Sequence, residues 1–191
     1  TDKGLEGVAI GAYERDLQAK TAGLVWQPEY GLGWTFKAAR AKLPDETRRV
    51  ALAAYLADPP DGATPVGIVT ALGALKRGEL LSRASTDFMI ELMGEAVTGP
   101  RRLKGGLPKG WMIAHKTGTG PDWKTGSVGI NDVGLITAPD GRAYAVAVLM
   151  RQTMHTIPRR LEFMQSVTRA VAAHWQEGQA LPAEGQQVAG G

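Results

Sequence analysis

The sequence predicts a layered α/β fold in which an antiparallel sheet is flanked by helices. Between residues 64 and 94, apolar residues recur at helical spacing behind capping residues. Extended apolar runs separated by turn residues follow between residues 111 and 150. Helical spacing returns after residue 156. Consecutive strands with short links favour an antiparallel meander, and a helix with one apolar stripe must bury it against such a sheet.

The composition excludes several classes of function. A chain of 191 residues, 43% hydrophobic and 21% charged, is typical of one globular domain or of a large part of a two-domain enzyme. It contains no apolar run long enough for a membrane span. The net charge of +3 is spread over separated basic pairs with acids nearby, so we expect no nucleic-acid partner. With no cysteine, any nucleophile must be an oxygen or an amine.

The first half of the chain is predicted to be helical after an irregular start. Residues 1–34 are rich in glycine and predict a long loop with one helical turn at 13–18. Two helices are expected between residues 35 and 57, meeting at Leu43 and Pro44, because proline is tolerated where a helix opens.

Two further helices have clearer start and stop signals. Thr64 is a predicted N-cap with proline behind it, and Gly78 ends that segment. Ser82 or Ser85 is expected to cap the next helix, which stops at Gly94. The apolar stripe of this second helix is predicted to be core, and it comprises Phe88, Met89, Leu92 and Met93.

The second half predicts three strands and a final helix. The strands are expected at residues 111–115, 133–137 and 143–150, with a tight turn at 139–142 between the last two. The final amphipathic helix follows to about residue 176, and the tail from Gly178 is predicted to be flexible.

A glycine-containing motif follows directly on the first predicted strand. In Lys116-Thr117-Gly118-Thr119-Gly120 the glycines let a ligand approach the backbone, while an ammonium group and hydroxyls point at it. Such a strand edge binds a carboxylate and offers backbone N–H groups to an oxyanion. The alternative interpretation is an ordinary strand end that turns into a loop.

The order of short motifs along the chain resembles the C-terminal half of class A serine β-lactamases. The resemblance covers most of residues 64–176. It rests on the succession of Thr64-Pro65, Gly78-Glu79-Leu80-Leu81-Ser82, Thr98-Gly99-Pro100-Arg101-Arg102-Leu103, Gly106-Leu107-Pro108-Lys109-Gly110-Trp111, His115-Lys116-Thr117-Gly118-Thr119-Gly120, Asn131-Asp132-Val133-Gly134 and Pro139-Asp140-Gly141-Arg142. It implies a β-lactamase/transpeptidase-like fold with a helical part packed on an α/β part.

The resemblance implies roles for several residues of the motif and its surroundings. Lys116 and Thr117, followed by Gly118, match the positions that recognise the substrate carboxylate, and the N–H of Thr119 matches one half of the oxyanion hole. Arg102 falls where some family members carry a further carboxylate-binding cation. Its alternative interpretation is a solvated loop arginine.

A second element of the resemblance is the loop that deacylates the enzyme. Glu14 matches the glutamate that activates water, Gln18 supplies the amide four residues on, and Leu17 fits between them. The family's arginine two residues before the glutamate is Ala12 here, so the loop must be held differently. The alternative for Glu14 is a surface glutamate on a helical turn.

The nucleophile of the family is absent from this sequence. Serines 82, 85, 127 and 166 have no lysine three residues later, and no Ser-Asp-Asn motif occurs. We therefore expect the chain to be the C-terminal portion of a longer enzyme and to need an N-terminal segment of that enzyme as its partner. Without that segment the sheet would expose a strand edge and an apolar face.

These observations lead to a functional hypothesis with two alternatives. The leading one is a serine hydrolase that opens β-lactams through an acyl-enzyme without cofactor or metal. The alternatives are a penicillin-binding or D,D-peptidase-like enzyme with slow deacylation, and a catalytically dead relative. His115 is expected to pack on the face opposite Lys116. The resemblance further implies a helical-domain part at residues 1–95, an α/β part at 96–177, a tail at 178–191 and a periplasmic or secreted location.

Overall fold

The computed structural model describes residues 15–59, 62–120, 122–123 and 126–180. The chain divides into two compact units, Thr1–Gly62 and Ala63–Gly191. The boundary expected at residues 95 and 96, between a helical and an α/β part, remains a prediction. Within the described ranges no helix combines the length and the hydropathy that a bilayer crossing needs.

The first unit is more helical than the glycine content predicts. Helix α1 (residues 15–22) replaces the expected single turn, and it buries Ala19 completely. It ends at Gly23, whose φ of +83° is a conformation that favours glycine. A short 3-10 helix (Pro28–Gly31) precedes α2 (Gly33–Ala41) and α3 (Asp45–Ala57). The predicted junction of two helices at Leu43 and Pro44 is confirmed.

Helices α4 (Pro65–Lys76) and α5 (Arg83–Gly94) open the second unit with the predicted caps. The hydroxyl of Thr64 accepts a hydrogen bond from Gly67 N at 3.0 Å, and that of Ser82 accepts one from Ser85 N at 3.3 Å. Each bond satisfies an N–H group that a helix start leaves without an intrahelical partner. Gly78, with φ of +76°, lies just beyond α4 as expected.

Among the described residues the sheet has four strands, and the longest of them pairs with each of the other three. They are β1 (Met112–Thr119), β2 (Asp122–Trp123), β3 (Gly126–Thr137) and β4 (Ala143–Thr153). Strand β3 pairs antiparallel with β1 and β2 along one edge and with β4 along the other. The predicted meander is confirmed, but β3 begins earlier than expected and β1 and β4 end later. The strand β1 therefore contains the whole Lys-Thr-Gly motif.

Helices cover both faces of this sheet. On one face a 3-10 helix (Leu103–Gly106) and α6 (Ile157–Ala180) complete a hydrophobic core, formed by Leu103, Ile113, Ile130, Ile136, Val146, Val148 and Met164. On the other face α4 contacts β3 and β4, and α5 contacts β1. This layered mixed α/β arrangement agrees with the predicted fold class.

Two expectations about the second unit are wrong. Helix α6 continues through Gly178 to Ala180, because Trp175 Nε1 and Gln179 Nε2 both donate to Asp140 Oδ2. The rest of the predicted tail, 181–191, lies outside the described residues. The apolar stripe of α5 is not core, since Phe88 and Leu92 are 65% and 51% exposed.

Candidate active site

The Lys-Thr-Gly motif forms the last part of β1 rather than a loop. Lys116 and Thr119 are exposed, while Thr117 and Gly118 are half-buried. The Lys116 ammonium group donates to the carbonyl oxygen of Thr117 at 2.5 Å. The motif therefore ends a strand, and whether it also binds a ligand stays a prediction.

The backbone direction of Thr119 follows from the pairing of β1 with β3. Gly120 N donates to Gly129 O across the sheet at 3.1 Å. Because the backbone groups of successive residues in an antiparallel strand point to opposite edges, the N–H of Thr119 points away from β3. Among the described residues no strand pairs with that edge of β1. The N–H is thus available to a ligand, as an oxyanion donor must be.

Arg102 lies across the end of β1. Its Nη1 donates to Gly118 O at 2.8 Å and to Asn131 O at 2.6 Å. Its Nη2 donates to Thr119 Oγ1 at 2.6 Å. The Nε–H and the second Nη2 hydrogen have no acceptor in the described part of the chain. Arg102 is therefore not a solvated loop arginine, because most of its donors hold the strand end.

The turn before Arg102 also contacts the motif. Thr98 Oγ1 and Thr117 Oγ1 lie 2.8 Å apart and share a hydrogen bond. Gly99 has a φ of +62°, and a Cβ there would come within 2.7 Å of Thr117 Cγ2. Only glycine fits at this position without moving the strand.

A buried, hydrogen-bonded pair of side chains lies beneath the motif. His115 Nδ1 and Asp132 Oδ1 are 2.8 Å apart, and the side chains are 1% and 0% exposed. The other oxygen, Asp132 Oδ2, accepts a hydrogen bond from Leu103 N at 3.1 Å. His115 thus packs on the face opposite Lys116, as the alternation along a strand predicts.

The structure brings several of the predicted site residues together. Arg102, Lys116, Thr117, Gly118 and Thr119 form one continuous surface at the end of β1. Gln18 lies in α1 of the first unit and is exposed. Glu14 lies outside the described residues. The functional assignments of all these residues remain predictions.

Three residues that hold this surface were not identified from the sequence, namely Thr98, Asn131 and Asp132. Asp132 had a detectable signal, because a carboxylate directly before an apolar strand segment is unusual in a strand. Its partner His115 comes from a different strand, so sequence spacing alone could not pair them.

Comparisons with known proteins identify the family. The model of the Beta-lactamase enzyme family matches residues 29–175. That range covers more than half of the chain and includes both the sheet and the Arg102 loop. The chain belongs to the β-lactamase enzyme family, and its structural neighbours include a class A β-lactamase.

Individual relatives match parts of the chain. β-Lactamase VEB-1 of Pseudomonas aeruginosa is 41% identical over 80 residues, which is 42% of this chain and 27% of that protein. Extended-spectrum β-lactamase PER-1 of the same organism is 44% identical over 73 residues, 38% of this chain and 24% of that protein. The chain therefore spans about a quarter of these curated relatives.

Solved structures show the same fold. The crystal structure of TLA-1 extended-spectrum β-lactamase is 33% identical with a TM-score of 0.57, covering 59% of this chain and 41% of that one. PBP-A is 30% identical with a TM-score of 0.52, covering 60% of this chain and 40% of that one. Another structure of PBP-A is described as an acyl-enzyme complex with penicillin G.

Proposed function

We propose that this chain supplies the substrate-binding strand edge and the deacylating loop of a serine hydrolase that opens the β-lactam amide through an acyl-enzyme. The observation that supports this most is the end of β1. There an exposed ammonium group, an N–H that points to an edge unpaired among the described residues, and a guanidinium group with free donors surround the last residues of the strand. The proposal concerns the complete enzyme, meaning the polypeptide or polypeptides that supply this chain and a Ser-x-x-Lys segment.

In the proposed mechanism the serine attacks the β-lactam carbonyl carbon. Lys116, Thr117 and Arg102 hold the carboxylate of the substrate, with Gly118 allowing close approach. The N–H of Thr119 stabilises the oxyanion of the tetrahedral intermediate. Collapse of that intermediate breaks the amide bond and leaves an ester on the serine. Glu14 then takes a proton from a water held by Gln18, and this water hydrolyses the ester.

The N-terminal segment of the same enzyme is the proposed partner of the second unit. Among the described residues no strand pairs with the outer edge of β4. A cavity of about 730 Å³ lies between the end of β4 and the first turns of α6, and Phe163 on its wall is 55% exposed. A strand edge and an apolar wall of this kind favour covering by another segment.

The cellular role follows from the proposed reaction. Destruction of a β-lactam by an enzyme in the periplasm or outside the cell would give antibiotic resistance. We infer that location from the family, because β-lactams act there.

A second candidate function is a penicillin-binding or D,D-peptidase-like enzyme that deacylates slowly. The structural likeness to PBP-A favours it, since the fold match is close to that with TLA-1. A catalytically dead relative is the third alternative, and a complete reading frame without a Ser-x-x-Lys motif would favour it.

Replacement of the proposed general base distinguishes these functions. In the complete enzyme, Glu14→Ala should accumulate a long-lived acyl-enzyme, seen by intact mass after mixing with a β-lactam, while the parent turns over. Glu29→Ala, which removes an exposed glutamate nearby in sequence, is the matched control and should behave as the parent.

Each other outcome has a definite meaning. Equal turnover in Glu14→Ala and the parent would remove Glu14 as the general base. A parent that also stays acylated would indicate the D,D-peptidase-like function. A parent that neither acylates nor hydrolyses would contradict the proposed reaction.

A further inference from the structure

A buried His–Asp pair joins the three pieces of chain that form the end of β1. His115 comes from β1 itself, Asp132 from β3, and Leu103 from the loop that carries Arg102. Asp132 contacts both of the others, through Oδ1 to His115 and through Oδ2 to the backbone N–H of Leu103. The proposed mechanism gives neither His115 nor Asp132 a role.

A glycine on the neighbouring strand lies opposite the histidine of this pair. His115 lies opposite Gly134 in the β1–β3 register, and a Cβ on Gly134 would come within 2.8 Å of His115 Cβ. It would also come within 2.3 Å of the backbone oxygen of Ala114, so a side chain at residue 134 would push β1 away from β3. The glycine therefore keeps the two strands at the spacing at which His115 reaches Asp132.

The tautomer of His115 follows from its surroundings. Nδ1 faces the carboxylate, and the buried Nε2 has no hydrogen-bond partner among the described residues. A hydrogen on Nδ1 gives Asp132 a donor and leaves only an acceptor unpaired at Nε2. A hydrogen on Nε2 would instead place the Nδ1 lone pair against the carboxylate and bury an unpaired donor.

Asp132 is connected to Arg102 through their immediate sequence neighbours. The residue that donates to its Oδ2 is Leu103, the next residue after Arg102. The residue before Asp132 is Asn131, whose carbonyl oxygen accepts from Arg102 Nη1 at 2.6 Å. Two consecutive residues of β3 thus fix two consecutive residues of the loop.

We propose that His115 and Asp132 are a positioning pair that holds Arg102 across the end of β1 and thereby sets the affinity of that edge for a ligand carboxylate. Neither residue touches the ligand. Asp132 fixes the loop through Leu103, and His115 keeps the carboxylate aimed at that N–H. The predicted change in KM rests on the proposed function, whereas the predicted change in hydrogen exchange at Leu103 does not.

A comparison of two substrates separates positioning from general stability. In the complete enzyme, Asp132→Asn should raise the KM of a carboxylate-bearing β-lactam about tenfold and leave kcat within about threefold, because a charge-assisted contact is weakened. For the methyl ester of the same β-lactam, both constants should stay near those of the parent. A variant that is merely less well folded would lose activity on both substrates alike.

Three further variants test the path through Arg102. The effects of Asp132→Asn and Arg102→Ala on KM should be far from additive, because both act through one guanidinium group. His115→Asn keeps a donor near the Nδ1 position and should retain most of the affinity for the carboxylate-bearing β-lactam. His115→Leu should lose that affinity. Asp87→Asn, which removes an exposed carboxylate on α5, is the control.

Hydrogen exchange tests the same pair without any reaction. In Asp132→Asn and His115→Leu the amide of Leu103 should exchange at least about tenfold faster than in the parent, and in Asp87→Asn it should not change. Unchanged exchange at Leu103, equal loss on acid and ester substrates, or additive effects with Arg102→Ala would each overturn the proposal. If the parent hydrolyses neither substrate, the proposed function fails and exchange at Leu103 still decides about the pair.

Discussion

At the scale of single residues, two carboxylates of the β3–β4 hairpin, one in a strand and one in the turn, have structural roles. Asp132 joins β1, β3 and the Arg102 loop inside the sheet. Asp140, in the turn between β3 and β4, joins that turn to the end of α6 through Trp175 and Gln179. Neither task is visible in the residue's immediate sequence neighbours, because the partners of both carboxylates come from distant parts of the chain.

The contacts of Asp140 predict a dependence of helix α6 on pH. The backbone N–H of Arg142 and, next, the indole N–H of Trp175 hold the pKa of Asp140 below its ordinary value. A carboxyl group with a lowered pKa in the folded state stabilises that state above the ordinary value of about 4. The contribution is lost as the pH falls through the lower folded-state pKa.

We therefore expect the last turns of α6 to loosen in acid. Hydrogen-exchange protection of residues 172–180, corrected for intrinsic rates, should fall below about pH 4. Asp140→Asn should lower protection at neutral pH and abolish most of that pH dependence. Glu91→Gln, which changes an exposed carboxylate on α5, should do neither, and an equal effect of both variants would contradict the role of Asp140.

At the scale of elements, the 3-10 helix at Leu103–Gly106 packs closely against α6 because its glycines have no side chains. A Cβ on Gly106 would come within 2.1 Å of Thr168 Oγ1 and 2.4 Å of Gln165 O. Gln165 also donates to Arg101 O at 2.7 Å. This close approach places the loop with Arg102 between the sheet and α6.

Gly106→Ala should destabilise the fold by about 2 kcal/mol, since backbone or helix must move to admit the methyl group. The matched variant Gly94→Ala, where a Cβ meets nothing within 4 Å, should have no cost. The free energy of unfolding in urea measures both. An equal free energy of unfolding for Gly106→Ala and the parent would contradict the close packing of the 3-10 helix against α6.

The caps of α4 and α5 provide a second prediction at this scale. Thr64→Ala and Ser82→Ala each remove the side-chain acceptor at one helix start. Each should lower the free energy of unfolding by about 1 kcal/mol. The same urea titration measures the loss. Thr64→Ser and Ser82→Thr keep the hydroxyl and should recover most of it; failure of both to do so would contradict the capping role.

The elements also show what the sequence could and could not predict. The helix starts at Thr64 and Ser82 were correct because a cap is a local interaction. The beginning of β3 was missed because Asn131 and Asp132 are uncommon in strands, and their partners are far away in sequence. Helix α6 was predicted too short, since Gly178 is a stop signal that the contacts of Trp175 and Gln179 with Asp140 overcome.

At the scale of the whole molecule, large apolar side chains of α5 and α6 are exposed, and the proposed N-terminal partner segment would cover them. Besides the stripe of α5, the cavity at α6 combines Phe163 with Arg159, Ser166 and Arg169 on one side of the helix. These side chains recur at three and four residues and therefore share one face of α6. Helical spacing predicts which residues share a face but not what covers that face, which is why the prediction of the α5 stripe as core was wrong.

Phe163→Asp should weaken the association of the second unit with the N-terminal segment. The substitution removes the apolar ring that a covering segment would contact and puts a hydrated carboxylate in its place, so we expect at least about a tenfold loss of affinity between separately produced segments. Gln176→Asp places the same charge on α6 outside the cavity and is the control. Binding is measured by calorimetry, and equal affinity of Phe163→Asp and the parent would remove this face from the interface.

The candidate site was predicted best where chemistry is carried by a contiguous motif. Lys116, Thr117, Gly118 and Thr119 follow one another on β1, and Arg102 contacts its last two residues. The roles that the resemblance implied for them stay predictions. Thr98, Asn131 and Asp132 were recognised as parts of motifs but given no role, because their partners Thr117, Arg102 and His115 come from distant parts of the chain.

The most direct test of the proposed function is intact-mass spectrometry under denaturing conditions, before and after brief exposure to a β-lactam. We predict that a polypeptide of the complete enzyme gains the mass of one opened β-lactam and then returns to its original mass as the ester is hydrolysed. No mass gain on any polypeptide of the complete enzyme would contradict the proposal that this chain serves an acyl-enzyme reaction.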